Sequence, residues 1–292
     1  MNNKLLSLLA CLTLAAFVLS CGSQNQYLSK GKELIKSNKR RKEERAAVEF
    51  KKAVEQEPDN AEAHYLLGYY DEKSTVEERS RQMYLAYTYD RKKYIDILVY
   101  ETLRDREQVV KEVRNSALNA LKRIYESGDR GKKDVLKQLM KAIKSKDNRD
   151  RYDAGWALAE LGKDDPGTIV PKLIDLLDHK RMETRLNAVV ALGEIGDKSA
   201  VPRLVELINS GSAEKKRDRE TAELRRLAVE ALRKIGGVDS VDELVRILEN
   251  RGSSMRVDAI EALSEIGDEK AVPSLLKVLG EKGSRQVVVT FR

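Results

Sequence analysis

The chain has 292 residues, of which 41% are hydrophobic, 35% charged and 5% aromatic, and its formal net charge is +7. This apolar content excludes a disordered chain, and the composition favours an array of helices with a thin continuous core. The two cysteines, Cys11 and Cys21, both lie near the N-terminus, so the rest of the chain excludes disulfide bonds and thiol chemistry.

The first 20 residues have the pattern of an export signal. Lys4 supplies a positive charge, and residues 5–19 are almost wholly apolar. About 15 apolar residues are fewer than the roughly 20 that cross a bilayer, and a short apolar stretch after a positive charge is typical of a signal peptide. An uncleaved membrane anchor is the alternative interpretation.

Residues 18–21 (VLSC) resemble the bacterial lipobox, whose cysteine is lipidated and becomes the new N-terminus. Residues 8–11 (LLAC) have a similar pattern, but cleavage there would leave too short an apolar stretch for a signal peptide. The resemblance therefore implies lipidation of Cys21 and a location in the cell envelope. Gly22 and Ser23 follow this cysteine, which favours an outer-membrane lipoprotein that faces the periplasm.

Residues 21–93 follow a second pattern. Ala46, Phe50, Ala53 and Pro58 have the spacing A-x3-F-x2-A-x4-P. This spacing resembles the tetratricopeptide repeat, in which small residues let two helices approach and the phenylalanine fills the gap between them. The resemblance implies about two such helical hairpins in this part of the chain.

Tyr65 and Tyr69 lie four residues apart, on what would be the first helix of the next tetratricopeptide-like hairpin. In such a hairpin both side chains would face the groove of that unit, so they are candidates for binding a peptide. Packing between helices is the other interpretation of this pair.

From residue 94 onward one motif recurs. An arginine is followed three residues later by alanine and seven residues later by leucine in five copies, which begin at Arg114, Arg151, Arg185, Arg225 and Arg256. In the last four copies a glycine falls eleven residues after the arginine, and a second apolar run follows it. Each unit is therefore predicted to be two helices around a glycine turn. Arginine spacings of 31 to 40 residues are typical of stacked helical hairpins.

Residues 191–202 and 262–273 resemble HEAT repeats, most closely the short bacterial variety of the phycobilisome-lyase type. The resemblance implies an all-α fold, a right-handed α-solenoid in which tetratricopeptide-like hairpins precede HEAT repeats. Each turn glycine is expected to adopt the left-handed conformation. The repeated arginines are expected to pair with turn aspartates such as Asp197 and Asp268. Two units lack the usual turn residues, so Arg114 and Arg225 are predicted to lack this partner.

The second helices of the hairpins predict an interaction surface on the concave face. When they are aligned, two exposed columns appear: Gln138, Lys172, Arg203, Glu243 and Ser274, and Lys141, Asp175, Glu206, Arg246 and Lys277. The charges alternate in sign, whereas a solenoid that binds nucleic acid needs a continuous positive track. A protein or peptide partner is therefore predicted, and nucleic acid is not. The residues predicted to contact this partner are Lys172, Arg203, Glu206, Glu243, Arg246 and Lys277.

Two further segments depart from the repeat. Residues 211–220 are inserted before the first helix of the fourth unit, and they predict either a helix that protrudes by about two turns or a solvated extension. Residues 285–292 begin where a sixth unit would start. They are predicted to cap the array, to be frayed, or to mediate assembly between copies.

The sequence contains no recognisable catalytic pattern. The two histidines, His64 and His179, have no repeated partner, whereas metal-dependent HEAT-repeat hydroxylases need several nitrogen and carboxylate ligands. No phosphate-binding glycine loop and no nucleophile-elbow motif occurs. We therefore expect no catalytic residue, metal or cofactor, and we expect that the protein is not an enzyme.

These patterns predict a lipid-anchored scaffold or adaptor of the cell envelope that binds partner proteins through its helical repeats. Two alternatives stay open: a carrier for a cell-wall glycan or lipid, and a cofactor-handling protein similar to the lyases. The predicted organisation is a signal peptide at 1–20, a tetratricopeptide-like segment at 21–93 and a HEAT-repeat solenoid at 94–292.

Overall fold

A computed structural model describes residues 25–37, 40–102, 108–209 and 218–280, and all regular structure within these ranges is helical. The chain divides into two compact units, one that ends at Val135 and one that begins at Leu136. The helices of the first unit, the last of which continues into the second, are α1 (Gln26–Lys36), α2 (Lys42–Gln56), α3 (Ala61–Tyr70), α4 (Val76–Tyr89), α5 (Arg91–Thr102), α6 (Gln108–Glu126) and α7 (Asp129–Ala142).

The helices of the second unit are α8 (Asn148–Gly162), α9 (Pro166–Asp175), α10 (Met182–Ile195), α11 (Val201–Asn209), α12 (Asp218–Ile235), α13 (Gly237–Glu249), α14 (Arg256–Ile266) and α15 (Val272–Leu279). Short 3-10 helices at Leu176–Asp178, Lys198–Ala200 and Glu269–Ala271 adjoin α9, α11 and α15. Among the described residues, each helix packs chiefly on helices one or two positions away in chain order. The predicted all-α solenoid is confirmed, and its handedness stays a prediction.

The alanine and leucine of the repeat motif form the core. Both side chains are at most 1% exposed in all five copies: Ala117, Leu121, Ala154, Leu158, Ala188, Leu192, Ala228, Leu232, Ala259 and Leu263. Because these positions recur at helical spacing, the first helix of each hairpin directs one apolar face toward its neighbours. The burial agrees with the apolar stripe predicted from the sequence.

The turn glycines follow the prediction in three hairpins and depart from it in one. Gly196 and Gly267 end α10 and α14 with φ angles of 76° and 69°, and Gly236 also has a positive φ of 61°. Gly162 instead lies inside α8. A Cβ atom at Gly162 would lie 2.4 Å from the Cδ1 atom of Ile195, so this glycine is needed for close packing and the prediction of a left-handed turn there was wrong.

Glycines also let helices approach closely in both units. A Cβ atom at Gly31 in α1 would lie 2.4 Å from the ring of Phe50 in α2. At Gly193 in α10, a Cβ atom would lie 2.9 Å from the Cα atom of Ala231 in α12. Because glycine has no Cβ atom, the two helices can pack more closely at these positions than with any other residue.

The repeated arginines have partners other than the turn aspartates that the family resemblance implied. Three of them donate to main-chain carbonyls at or near the end of a preceding helix: Arg114 Nε to Thr102 O at 2.9 Å, Arg151 Nη1 to Ser145 O at 2.7 Å, and Arg256 Nε to Leu248 O at 2.7 Å. The last carbonyls of a helix have no partner within the helix, so these arginines satisfy them.

The aspartates act as caps. Asp197 accepts a hydrogen bond from the backbone N–H of Ser199, and Asp268 accepts one from that of Lys270, both at 2.8 Å. Arg114 and Arg225 were predicted to lack a turn aspartate. The contacts described for them are with other groups, the carbonyl of Thr102 for Arg114 and the hydroxyl of Ser254, at 3.5 Å, for Arg225.

Several predicted features lie outside the described residues. These are the signal peptide with Cys21, most of the insertion at 211–220, and the segment 285–292. The boundary predicted at residue 94 falls inside the first compact unit. That boundary was predicted from a change in the sequence pattern, and the domain assignment stays a prediction.

Candidate interaction surface

The second helices of the last four hairpins present the residues that the sequence predicted as a binding surface. Lys172 lies on α9, Arg203 and Glu206 on α11, Glu243 and Arg246 on α13, and Lys277 on α15. We call these six residues the second-helix surface. They alternate with leucines such as Leu204 and Leu244, which are fully buried. The leucines fix the register of each helix, so the charged side chains point away from the core.

Ion pairs order part of the second-helix surface. The guanidinium of Arg203 donates to Asp178 at 2.5 Å and to Glu206 at 3.0 Å. The hydrogen bond to Asp178 raises the pKa of Arg203 above its usual value. Because Asp178 follows α9 and Arg203 lies on α11, this pair connects consecutive hairpins.

A similar contact joins the last two hairpins. Glu249, at the end of α13, accepts a hydrogen bond from the hydroxyl of Ser274 at 3.0 Å and lies 4.0 Å from the ammonium of Lys277. On α13 itself, Arg246 pairs with Glu243. Lys172 is exposed and forms no ion pair within the described ranges. Positive and negative groups are thus interspersed along the surface, which suits a partner with its own mixed charges.

Tyr65 packs between two helices of the first unit. The hydroxyl of Tyr65 donates to Glu101 at 3.3 Å, and its ring lies 5.4 Å from that of Tyr94, centroid to centroid. Burial raises the pKa of Tyr65. Tyr69 lies 5.9 Å from the Tyr65 ring and 4.8 Å from that of Tyr70. These contacts favour packing between helices for Tyr65, whereas the ring contacts of Tyr69 lie within α3, and both side chains keep partial exposure.

A groove of about 260 Å³ in the first unit was not predicted from the sequence. It is lined by Lys51, Leu67, Gly68, Asp71, Ser74, Glu78, Arg79, Arg81 and Gln82. Arg79 is 2% exposed and donates to the carbonyls of Gly68 at 2.9 Å and Tyr69 at 2.8 Å. It also approaches Glu112 at 3.3 Å. Arg79 therefore supports the end of α3 from α4, a long-range role that no local motif indicates.

The first helices of the second unit border another groove, of about 230 Å³, between α12 and α14. Its charged lining residues are Arg226, Glu230, Arg233, Asp258, Glu261 and Glu265. Arg233 pairs with Glu230 and lies 2.8 Å from Glu265. Burial raises the pKa of Asp258. The pair of Arg233 with Glu265 connects α12 to α14 across this groove.

The two histidines have structural partners. His64 is 3% exposed, with Nδ1 2.6 Å from Gln82 Oε1 and Nε2 2.8 Å from the carbonyl of Pro58. His179 accepts a hydrogen bond from the backbone N–H of Arg181 at 3.2 Å, and burial lowers its pKa. The described residues contain no group of three or more His, Cys, Asp or Glu side chains placed to hold a metal ion. Nor does any described helix have the length and apolar character needed to span a membrane.

The hairpins, their glycine turns and the exposed second helices define an α-helical repeat protein. The sequence model for HEAT repeats matches residues 138–222 and 215–288, which together cover just over half of the chain. The protein therefore belongs to the HEAT-repeat family.

Comparisons with other proteins add little to this assignment. No curated protein matches the chain. Among solved structures, the crystal structure of an engineered protein is similar at 20% sequence identity over 84% of this chain and 94% of that one. Its TM-score of 0.28 is too low to relate the two arrangements of helices.

Proposed function

We propose that this protein is a non-catalytic adaptor of the cell envelope that binds partner proteins through its second-helix surface. HEAT repeats generally mediate protein interactions, because stacked hairpins present one extended surface. The single observation on which the proposal depends is that consecutive hairpins expose interspersed positive and negative groups. Such a pattern provides specificity through charge complementarity.

The membrane anchor in this proposal is a lipid on Cys21. Lipidation would confine the repeats to one membrane face and raise the local concentration of whatever they bind. The periplasmic face of the outer membrane is the location that the sequence around Cys21 favours.

We further propose that the first unit contains tetratricopeptide-like hairpins and that the second resembles the phycobilisome-lyase type of HEAT repeat. The close approach of Gly31 to Phe50 supports the first assignment, because the tetratricopeptide pattern places a small residue against that phenylalanine. The contacts of Tyr65 with Tyr94 and Glu101 occupy this tyrosine in packing, which argues against its use as a platform for a glycan.

Charge reversal on the second-helix surface tests the binding role. We expect the triple variant Lys172→Glu, Arg246→Glu and Lys277→Glu to reduce partner recovery by about tenfold or more, because all three side chains are exposed and favourable pairs become repulsive. The measurement is crosslinking in intact cells followed by affinity purification and mass spectrometry of the captured proteins.

The matched control reverses three exposed basic residues on first helices or directly after one: Arg149→Glu, Lys163→Glu and Arg226→Glu. It makes the same change in net charge and should keep the partner set. Equal recovery with both triple variants would reject the second-helix surface as the binding site, and capture of glycan or lipid without protein would reject the adaptor function.

The lipid anchor has its own test. Cys21→Ser should move the protein from the membrane fraction to the soluble fraction without unfolding it, since the described helices begin after residue 24. Cys11→Ser should leave it with membranes. If the Cys21→Ser variant still sediments with membranes at high salt, lipidation of Cys21 is not what attaches the protein.

A further inference from the structure

The last described helix, α15, exposes a stripe of apolar side chains. Val272, Leu276 and Leu279 lie at spacings of four and three residues and are 47%, 60% and 37% exposed. At these spacings the three side chains share one face of the helix. We call them the end stripe.

The same positions are covered in the earlier hairpins. The residues equivalent to Val272 are Val170, Val201 and Val241, and those equivalent to Leu279 are Leu177, Ile208 and Leu248. All six are at most 5% exposed. Each earlier hairpin is followed by another that packs on it. The end stripe is therefore the surface that a following unit would cover, and not an ordinary apolar patch on a solvated helix.

An uncovered end is unfavourable in a helical array. The terminal repeats of such arrays need a polar outer face or a cap, because each apolar side chain left in water forgoes its burial energy. The position equivalent to Leu276 is Ile174, Val205 or Val245 in the earlier hairpins, and all three are half-buried. The last hairpin has apolar residues at the positions where internal hairpins have them. This composition is expected for a hairpin whose outer face is covered.

The residues that follow α15 include an apolar segment that could cover the end stripe. After Gly280 comes a polar link, residues 281–286 (EKGSRQ), and then Val287, Val288, Val289, Thr290 and Phe291. A run of β-branched residues favours an extended conformation over a helix. In an extended segment Val287, Val289 and Phe291 share one face.

The lengths of the two apolar faces agree. The end stripe extends for about 10 Å along its helix, and an extended Val287–Phe291 segment for about 13 Å. The six-residue link spans up to about 20 Å, which is enough to return along α15. We propose that residues 287–291 bind the end stripe of the same chain in an extended conformation and cap the repeat array.

Disulfide trapping tests which segment covers the stripe. In the full chain with Cys11→Ser and Cys21→Ser, the pair Leu276→Cys and Val289→Cys should form a disulfide within one molecule. It should appear as a monomer of altered mobility on a non-reducing gel. The control pair Leu276→Cys and Val288→Cys should form it at least about tenfold less, because alternate residues of an extended segment face opposite sides.

Each other outcome overturns the proposal. A disulfide-linked dimer with the Val289→Cys pair would assign the stripe to a second copy of the chain. Equal trapping by both pairs would exclude one fixed extended segment, and trapping by neither would leave the stripe to another partner.

Hydrogen exchange gives a second measurement on the full chain. Val287→Asp combined with Val289→Asp should accelerate exchange of the α15 amides by about tenfold or more, because a charge opposes burial against the stripe. Val288→Asp should change this rate by less than about twofold. Equal rates for the double variant and the unmodified chain would contradict the cap.

Discussion

Replacing Arg79 by methionine is expected to lower the free energy of unfolding by about 3 kcal/mol, although both side chains have similar length. Arg79 is 2% exposed, and its guanidinium binds the carbonyls of Gly68 and Tyr69 in addition to Glu112. Methionine would leave both carbonyls without a donor, and unsatisfied buried acceptors are costly. Urea denaturation followed by far-ultraviolet circular dichroism measures the change.

The control for Arg79 is its acidic partner. Glu112 is 61% exposed, so Glu112→Gln should cost no more than about 1 kcal/mol. A comparable loss in both variants would mean that the ion pair stabilises this region. If Arg79→Met lowers the free energy of unfolding only slightly, the two carbonyls have found other donors and Arg79 does not support the end of α3.

Gly131→Ala is the second substitution for which we expect a large loss, of about 3 kcal/mol. Gly131 is in the first turn of α7, and a Cβ atom there would lie 2.0 Å from the carbonyl oxygen of Ile124 in α6. A main-chain oxygen cannot move away as a side chain does, so the whole turn between the two helices would have to shift. The measurement is again urea denaturation.

Gly167→Ala provides a control of opposite sign. Gly167 also lies in the first turn of a helix, α9, and a Cβ atom there would have no neighbour within 4 Å. Alanine should therefore stabilise the protein by about 0.5–1 kcal/mol through its higher helix propensity. If the Gly131→Ala and Gly167→Ala variants had the same free energy of unfolding, the proposed close contact between Gly131 and the Ile124 carbonyl would be contradicted.

The parts of the fold that the sequence predicted are those that depend on spacing along one helix. Burial of Ala188 and Leu192 follows from their helical periodicity, and the positive φ of Gly196 follows from its place at the end of that helix. The burial recurs in every copy and the positive φ in three of them, so the copies reinforce one another's interpretation.

The features that the sequence did not predict arise from contacts between distant residues. Arg79 binds carbonyls about ten residues earlier, and Arg114 binds that of Thr102, 12 residues earlier. Gly162 occupies the turn-glycine position of the motif, but glycine is needed there for close packing against Ile195, 33 residues later. No periodicity distinguishes a glycine that permits a turn from one that permits close packing.

For the candidate surface, the sequence predicted which residues lie on the second helices but not how they pair with one another, and their role in binding stays a prediction. Aligning the second helices placed Arg203 and Glu206 on one face, because both follow from the helical period. The contact of Arg203 with Asp178 depends on how one hairpin is offset from the next. That offset is a property of packing, and one sequence does not specify it.

The short range of helix packing along the chain has a consequence for how the protein reaches its folded state. The contacts between helices are mostly local in sequence, since they join helices one or two positions apart. An early helix can therefore pack before distant parts of the chain are present. Hairpins near the N-terminus can therefore form while later ones are still being synthesised or threaded through a narrow channel. Folding can thus advance in the direction in which the polypeptide emerges.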